Sequence, residues 1–264
     1  MRNLLRFLVA PFVFVLMTGL AVWAEEPACP LEGNWRFEPD FSDEFNADSL
    51  DAEKWFPKNP GWLGRQPGWF SPDNVTVEEG CLCLTARNED LPNLPEGYHT
   101  FTTAAVQSKK RVLYGYFEVK SRPMNAIASS SFWFYGVDPG EWTEIDVYEM
   151  SGAHPQHENI YHMNLHVMIK PDKGENHWNR GKDWTAPFLL RDDFHRYGLL
   201  WNEKTIAWFV DDEKVWETEN TDWHQPLTVN FDSETMPEWF GLPKPEELPA
   251  TFKIDYIRHW VPGE

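Results

Sequence analysis

From Asn74 onward, apolar and polar residues alternate in short runs closed by Gly, Pro, Asn or Asp. A period of two marks a half-buried strand, whose successive side chains point to opposite faces. The pattern predicts strands over 103–109 (TAAVQSK), 115–123 (GYFEVKSRP), 130–137 (SSFWFYGV) and 143–150 (TEIDVYEM). It predicts others over 162–169 (HMNLHVMI), 195–202 (HRYGLLWN), 227–232 (LTVNFD) and 251–261 (TFKIDYIRHWV). The segment 74–86 (NVTVEEGCLCLTA) reads as a hairpin turning at Glu79-Gly80, and 205–218 as a second with Asp211-Asp212-Glu213 at its tip. Only 46–55 (NADSLDAEKW) and 244–249 (KPEELP) could hold a helical turn. Many short strands with frequent turns predict an all-β fold, a β-sandwich of two curved antiparallel sheets in one domain. Two long Pro-rich loops interrupt the series, Pro57–Pro72 and Asn88–Thr100. Loops of that length in a compact domain are usually functional or disordered, and Trp62, Arg65 and Trp69 in the first point to function.

Composition narrows the function. The 264 residues are 42% hydrophobic, enough for a sizeable core, and include 15 Trp, an excess suited to stacking on flat ligands. A formal charge of −19 excludes nucleic acid as a partner, since phosphate binding needs Lys/Arg-rich faces. The first residues combine Arg2 and Arg6 with an uncharged run from Phe7 to Ala24. With Pro11 and Gly19 inside the run and small residues before Glu25, this reads as a signal peptide of residues 1–24 rather than an uncleaved anchor. The expected product is a secreted or periplasmic monomer, residues 25–264, with no membrane attachment after cleavage. Cys81 and Cys83 share one strand face, a poor geometry for a mutual bridge. A bridge from Cys29 to one of them and three free thiols both remain open.

The segment EWTEIDVYEMSG (141–152) sets Glu144, Asp146 and Glu149 among β-branched and aromatic residues. Glu144 and Asp146 share a face, but strict alternation would put Tyr148, not Glu149, beside them. A β-bulge at Val147-Tyr148 restores Glu149 to that face. The two glutamates are then roughly 13 Å apart at Cα, within reach of side chains leaning to the separation of about 5–5.5 Å used in retaining glycoside hydrolysis. That chemistry needs one ionised carboxylate as nucleophile and one protonated acid as proton donor. Asp146, lying between, would orient Glu144 by a hydrogen bond and raise the proton affinity of Glu149. A merely solvated acidic strand and a Ca²⁺ site are the competing readings, though Ca²⁺ ligands come more often from loops.

EIDVYE resembles the bulged E-x-D-x-x-E signature of glycoside hydrolase family 16. The resemblance extends over nearly the whole chain beyond the signal: FSDEFNADSLDAEKW resembles the family's opening strand, NVTVEEGCLCLTA its first hairpin, YGYFEVKSR the strand before the cleft, and TFKIDYIRHWV its closing strand. It implies a β jelly roll with a concave substrate cleft and endo-acting, retaining cleavage of β-linked polysaccharides. By position, Glu144 becomes the nucleophile, Asp146 the assisting acid and Glu149 the general acid/base, with no cofactor in catalysis. Many members carry a structural Ca²⁺, for which Asp255 and Gly80 match. SSSFWFYGVDPGEWTEIDVYE, YHMNLHV and FDSETMPEWFGLPKPEELP look most like the agarase, porphyranase and κ-carrageenase branch. The expected substrate is therefore a red-algal galactan. A β-1,3- or mixed-linkage glucanase and a non-catalytic carbohydrate-binding jelly roll are the alternatives.

Further contacts follow from position. Trp142 shares the face of Glu144, and Trp133 lies on a strand expected to border it, each suited to stack on sugar or to fill the core. His162, Asn164 and His166 alternate, so all three point one way, and His166 is placed to bond a catalytic acid or a hydroxyl. Trp62, Arg65 and Trp69 populate the first long loop, with Arg65 suited to clamp a sulfate or hydroxyl. Glu234 and Trp239 are substrate-contact candidates near the C-terminus, with Trp223 and Asn230 beside them. Asn74 lies in an Asn-Val-Thr sequon.

Overall fold

The computed structural model describes residues 26–170 and 174–263. The proposed signal peptide lies outside them. In chain order the strands are β1 (Trp35–Phe37), β2 (Trp55–Phe56), β3 (Gly68–Phe70), β4 (Val75–Glu78), β5 (Cys81–Asn88) and β6 (Phe101–Val112). There follow β7 (Gly115–Arg122), β8 (Ser129–Asp138), β9 (Glu141–Met150), β10 (Ile160–Lys170), β11 (Gly174–Asn179) and β12 (Lys182–Thr185). The last are β13 (His195–Trp201), β14 (Thr205–Val210), β15 (Glu213–Glu219), β16 (Leu227–Glu234) and β17 (Ala250–Pro262). One layer runs β4-β5-β17-β7-β13-β14-β15, with β1 pairing further along β17. The other runs β6-β16-β8-β9-β10 and ends on β11 and β12. All these pairings are antiparallel, giving the expected jelly-roll sandwich; β3 adds one parallel pairing to β6.

The alternation decides what lies between the layers. Phe117 and Val119 of β7 meet Phe132 and Phe134 of β8 and Ile145 and Val147 of β9, all buried. The polar residues between them, Ser131, Glu144 and Asp146, therefore emerge on the opposite face of the second layer, where the cleft forms. Tight turns pin the registers. Glu79 and Gly80 both take positive φ (54° and 72°), as do Asp211 and Asp212 (47° and 72°). Two successive positive φ values suit the twist of the flanking strands. The second hairpin tip is thus Asp211-Asp212 alone, because Glu213 already pairs with Val210.

Residues 46–55 hold one helical turn, closed by Trp55 N–H to the Asp51 carbonyl at 2.9 Å, and 244–249 a short 3₁₀ turn at Pro245–Glu247. Other expectations shift. Much of the segment expected as an opening strand is irregular, meeting β17 at the bridge Asp43 to Ile257 and through Ser42 to His259 and Glu44 to Arg258. Strands β11 and β12 were not predicted, since GENHWN and KDWT lack apolar alternation and are held by β10 instead. Cys29, Cys81 and Cys83 are free thiols. Among the described residues, no helix is long and apolar enough to cross a membrane.

One buried histidine links this packing to pH. His259 is 5% exposed, stacks on Phe117 at 4.1 Å and donates Nε2–H to the Tyr114 carbonyl at 3.1 Å. Burial lowers its pKa from 6.5 to about 4. Below pH 6.5 the unfolded chain gains a proton that the folded one refuses, so stability falls as pH drops toward 4. The loss should total about 3 kcal/mol. His259→Gln should lack this component. Urea unfolding of both proteins from pH 7 to pH 4 checks it: an unchanged gap between them would refute the assignment.

Candidate active site

The catalytic-strand expectation turns on one irregularity, and the structure contains it. Against β8, Tyr148 pairs with Phe132 and Asp146 with Trp133, which leaves Val147 as an extra residue. Against β10, Glu149 pairs with His162 and Asp146 with Asn164, again one residue too many on β9. Val147 and Tyr148 both turn into the core, each 0% exposed. Tyr148 is fixed there by a 2.6 Å hydrogen bond between its hydroxyl and Ser121 Oγ. Glu149 consequently emerges into the same cleft as Glu144 and Asp146.

Cross-strand register builds the rest of the floor in rows. Asp183, His162, Glu149, Ser131 and Asp232 form one row across β12, β10, β9, β8 and β16. Asn164, Asp146, Trp133 and Asn230 form the next. His166, Glu144, Tyr135 and Thr228 form a third. His166 Nε2 comes 3.2 Å from Asp146 Oδ2, while its Nδ1 lies 3.0 Å from His177 Nε2. His162 Nδ1 lies 2.5 Å from Asp183 Oδ1. Glu144, Asp146 and His166 each bring one donor atom within 4.8 Å of the others, the arrangement in this cleft that would suit a divalent ion.

Five carboxylates, Glu144, Asp146, Glu149, Asp232 and Glu234, therefore converge in one region. Arg65 balances them in part: its Nε donates to Glu234 Oε2 at 2.9 Å. Burial, then repulsion by Asp146, raises the pKa of Glu144 and of Glu149 well above the ordinary carboxylate range. Arg65 offsets part of the rise at Glu144, and Glu149 in turn helps hold the Arg65 charge. Glu234 is raised to about 7, burial outweighing the pull of Arg65.

The acids sit where two lobes of the cleft meet. A lobe of about 710 Å³ is walled by Trp62, Trp133, Tyr135 and Trp142. A second, of about 900 Å³, is walled by His162, Asn164, His166, Asp183 and Trp239. Glu144, Glu149 and Arg65 border both. Trp133 stacks on Tyr135 at 4.9 Å and meets the edge of Trp62 at 6.2 Å. Across the junction, Trp239 meets His162 edge-on at 4.7 Å.

The two long loops explain each other. Gln66 Nε2 donates to the Glu96 carbonyl and Tyr98 Oη to that of Gly64, both at 3.0 Å. Gly64 needs its freedom: its φ is +106°, and a Cβ would stand 2.7 Å from the Gly68 carbonyl. Thr235 Oγ1 then donates to the Arg65 carbonyl at 2.7 Å, so the residue that follows β16 holds the loop that presents the guanidinium.

Not every expected contact reaches the cleft. Trp69 packs edge-on against Tyr98 at 5.3 Å and belongs to the loop support, not the lining. Trp223 is buried beneath the floor, its Nε1 donating to the carbonyls of Glu144 (2.8 Å) and His166 (3.1 Å). Asn230 is tied to Gln107 Nε2 at 2.9 Å. Asp255 and Gly80 do not fit a calcium site. The Asp255 carboxylate meets Lys120 Nζ at 2.7 Å, the adjacent Glu79 meets Lys253 at 3.3 Å, and Arg122 adds a third positive charge nearby. Side-chain cations hold the place of a metal there. Sequence reading missed Tyr135, Ser131, Asp183 and Asp232. The alternation around Trp133 and Glu144 would have marked the first two, but Asp183 and Asp232 depend on which strands pair.

A family model described as "Beta-porphyranase A-D, GH16 domain" matches residues 35–262. β-Porphyranase D of Zobellia galactanivorans is 29% identical over 89% of this chain and 62% of its own length. β-Porphyranase B of Phocaeicola plebeius is 26% identical over 89% of this chain and 86% of its own. In three dimensions the fold matches the crystal structure of porphyranase B from Zobellia galactanivorans with a TM-score of 0.76 at 22% identity, covering 89% of this chain and 97% of that one.

The Arg65–Glu234 pair makes a pH-dependent prediction. Below pH 6, Glu234 carries its proton with or without Arg65. Above pH 8 the wild type holds it ionised and paired, whereas Arg65→Met must bury a bare charge or retain the proton. The stability deficit of the variant should grow with pH by about 1–2 kcal/mol, a figure reduced for the half-exposed guanidinium. Urea midpoints at pH 6 and 8 measure it, and a deficit equal at both would rule the pairing out as its cause.

Proposed function

Because the chain belongs to the β-porphyranase A–D group of glycoside hydrolase family 16, we propose that it is an exported, retaining endo-glycosidase cutting β-linked galactans of the red-algal type. The observation that carries this reading is the placement of Glu144 and Glu149 together at the junction of two open lobes. A sugar chain lying across both lobes presents an internal bond to the acids, as endo cleavage requires. One copy of the chain supplies both walls, so a monomer suffices. The charged flank of Arg2 and Arg6 and the uncharged run Phe7–Ala24 support export.

Glu144 attacks the anomeric carbon while Glu149 gives its proton to the departing glycosidic oxygen. The glycosyl ester on Glu144 is then released by water, from which Glu149 takes the proton back. Two displacements at one carbon retain its configuration. Burial serves the step: an acid of ordinary pKa would have lost its proton at neutral pH, and burial raises the proton affinity of Glu149. Asp146, close to His166 Nε2, assists between them. Trp62, Trp133 and Trp142 offer faces to sugar C–H groups on one side. His162, Asn164, His166 and Trp239 serve the other. Arg65 spends Nε on Glu234 and keeps its terminal amino groups for a hydroxyl or a sulfate oxygen.

Porphyran, agar, κ-carrageenan, laminarin and lichenan offered side by side should give internal cleavage on one of the first three, with retention seen by proton NMR of early products. Cleavage confined to laminarin or lichenan would overturn the substrate class. Glu144→Gln should lose about 10³-fold or more in turnover while still binding oligosaccharide. Wild-type turnover by that variant would remove Glu144 from the reaction.

A further inference from the structure

Asp232 is a buried acid that the reaction above does not use. It is 1% exposed, too deep to touch a sugar. Its Oδ2 accepts the Trp133 indole N–H at 2.6 Å, and its cross-strand neighbour is Ser131, whose hydroxyl lies 2.5 Å from Ser129 Oγ. Its Oδ1 has no partner among the described residues. A neutral Asn would satisfy the indole equally well, so the carboxyl is more than the hydrogen bond needs. It is also expensive where it stands, since burying a carboxylate beside other carboxylates costs both hydration and repulsion.

The register shows what the charge faces. Ser131 is the cross-strand neighbour of Asp232 on one side and of Glu149 on the other. We propose that Asp232 is a positioning residue of this cleft: it fixes the Trp133 platform and, across Ser131, sets how firmly Glu149 keeps its proton. The platform that holds the sugar and the acid that cleaves it then share one anchor. The inference rests on the hydrolase reading and adds a residue to it.

The charged groups facing Asp232 fit this role. On its own strand stands Glu234. From the loop comes Arg65. On β8 it meets only Ser131 and Trp133, and on β6 it pairs with uncharged Ala105. Beyond β8 lie Glu149, Glu144 and Asp146, backed on β10 by His162 and His166. Burial, followed by Glu234, raises the proton affinity of Asp232, and Asp232 in turn helps raise that of Glu149.

Asp232→Asn keeps an acceptor for Trp133 and removes the charge. Its KM for a galactan oligosaccharide should stay within about twofold of wild type, while kcat falls about tenfold. The alkaline limb of kcat/KM should move to lower pH by about half a unit or more, because Glu149 loses a negative neighbour. Ser131→Ala should move the limb the same way. Apart from turnover, wild-type stability should decline relative to Asp232→Asn as pH rises from 4 to 8, since an acid raised by folding loses its advantage as it ionises. Limbs unchanged in both variants would overturn the proposal, as would a loss of kcat that merely follows a lowered melting temperature. Wild-type inactivity on every polysaccharide would instead defeat the hydrolase reading, and a pH-independent stability gap would then dispose of the charged role for Asp232 as well.

Discussion

A strand shows alternate residues to each face, and five positions separate Glu144 from Glu149. Those two facts conflict, and the function rests on how the chain resolves them. The extra residue at Val147 lets two neighbours, Val147 and Tyr148, sink side by side into the core. Their burial is what makes the irregularity favourable, because a regular strand would exchange the Tyr148 ring for a carboxyl among Phe132, Tyr161 and Tyr197. Packing on the dry side thus dictates chemistry on the wet side.

The second constraint is charge. A group of buried acids offset mainly by the Arg65 guanidinium cannot all ionise, so protons stay where water alone would release them. Arg65 offsets part of this effect at Glu144 and Glu234, while Asp146 adds to it at both Glu144 and Glu149. The histidine-lined lobe follows a different scheme. His162 has its own acid in Asp183, and His166 leans on Asp146. Polar groups there come in matched pairs, while the opposite lobe presents aromatic faces.

Much of this was legible in the sequence because it depends on local periodicity. The strands, the Glu79-Gly80 turn, the bulge at Val147-Tyr148 and the shared face of His162, Asn164 and His166 all follow from spacing along one segment. What could not be read depends on partners far apart in the chain. Arg65 and Glu234 are 169 residues apart, and Trp133 and Asp232 are 99. Tryptophans were the least predictable. Trp133 and Trp142 face the cleft, Trp69 braces a loop and Trp223 hangs beneath the floor as a hydrogen-bond donor. Composition counts such residues without saying which side of a layer they take. Charge partners behave alike: the sequence names Asp255 but does not reveal that Lys120 stands opposite it.

The bracing of Pro57–Pro72 by Asn88–Thr100 has a consequence for how such a protein diversifies. The outer loop never reaches the sugar channel, yet Tyr98, Glu96 and His99 hold the segment that displays Trp62 and Arg65. Lengthening or trimming that remote brace would tilt the upper jaw of the channel without touching any residue in it. New preferences among gel-forming polymers are therefore accessible through changes in a stretch that, judged by proximity alone, looks idle.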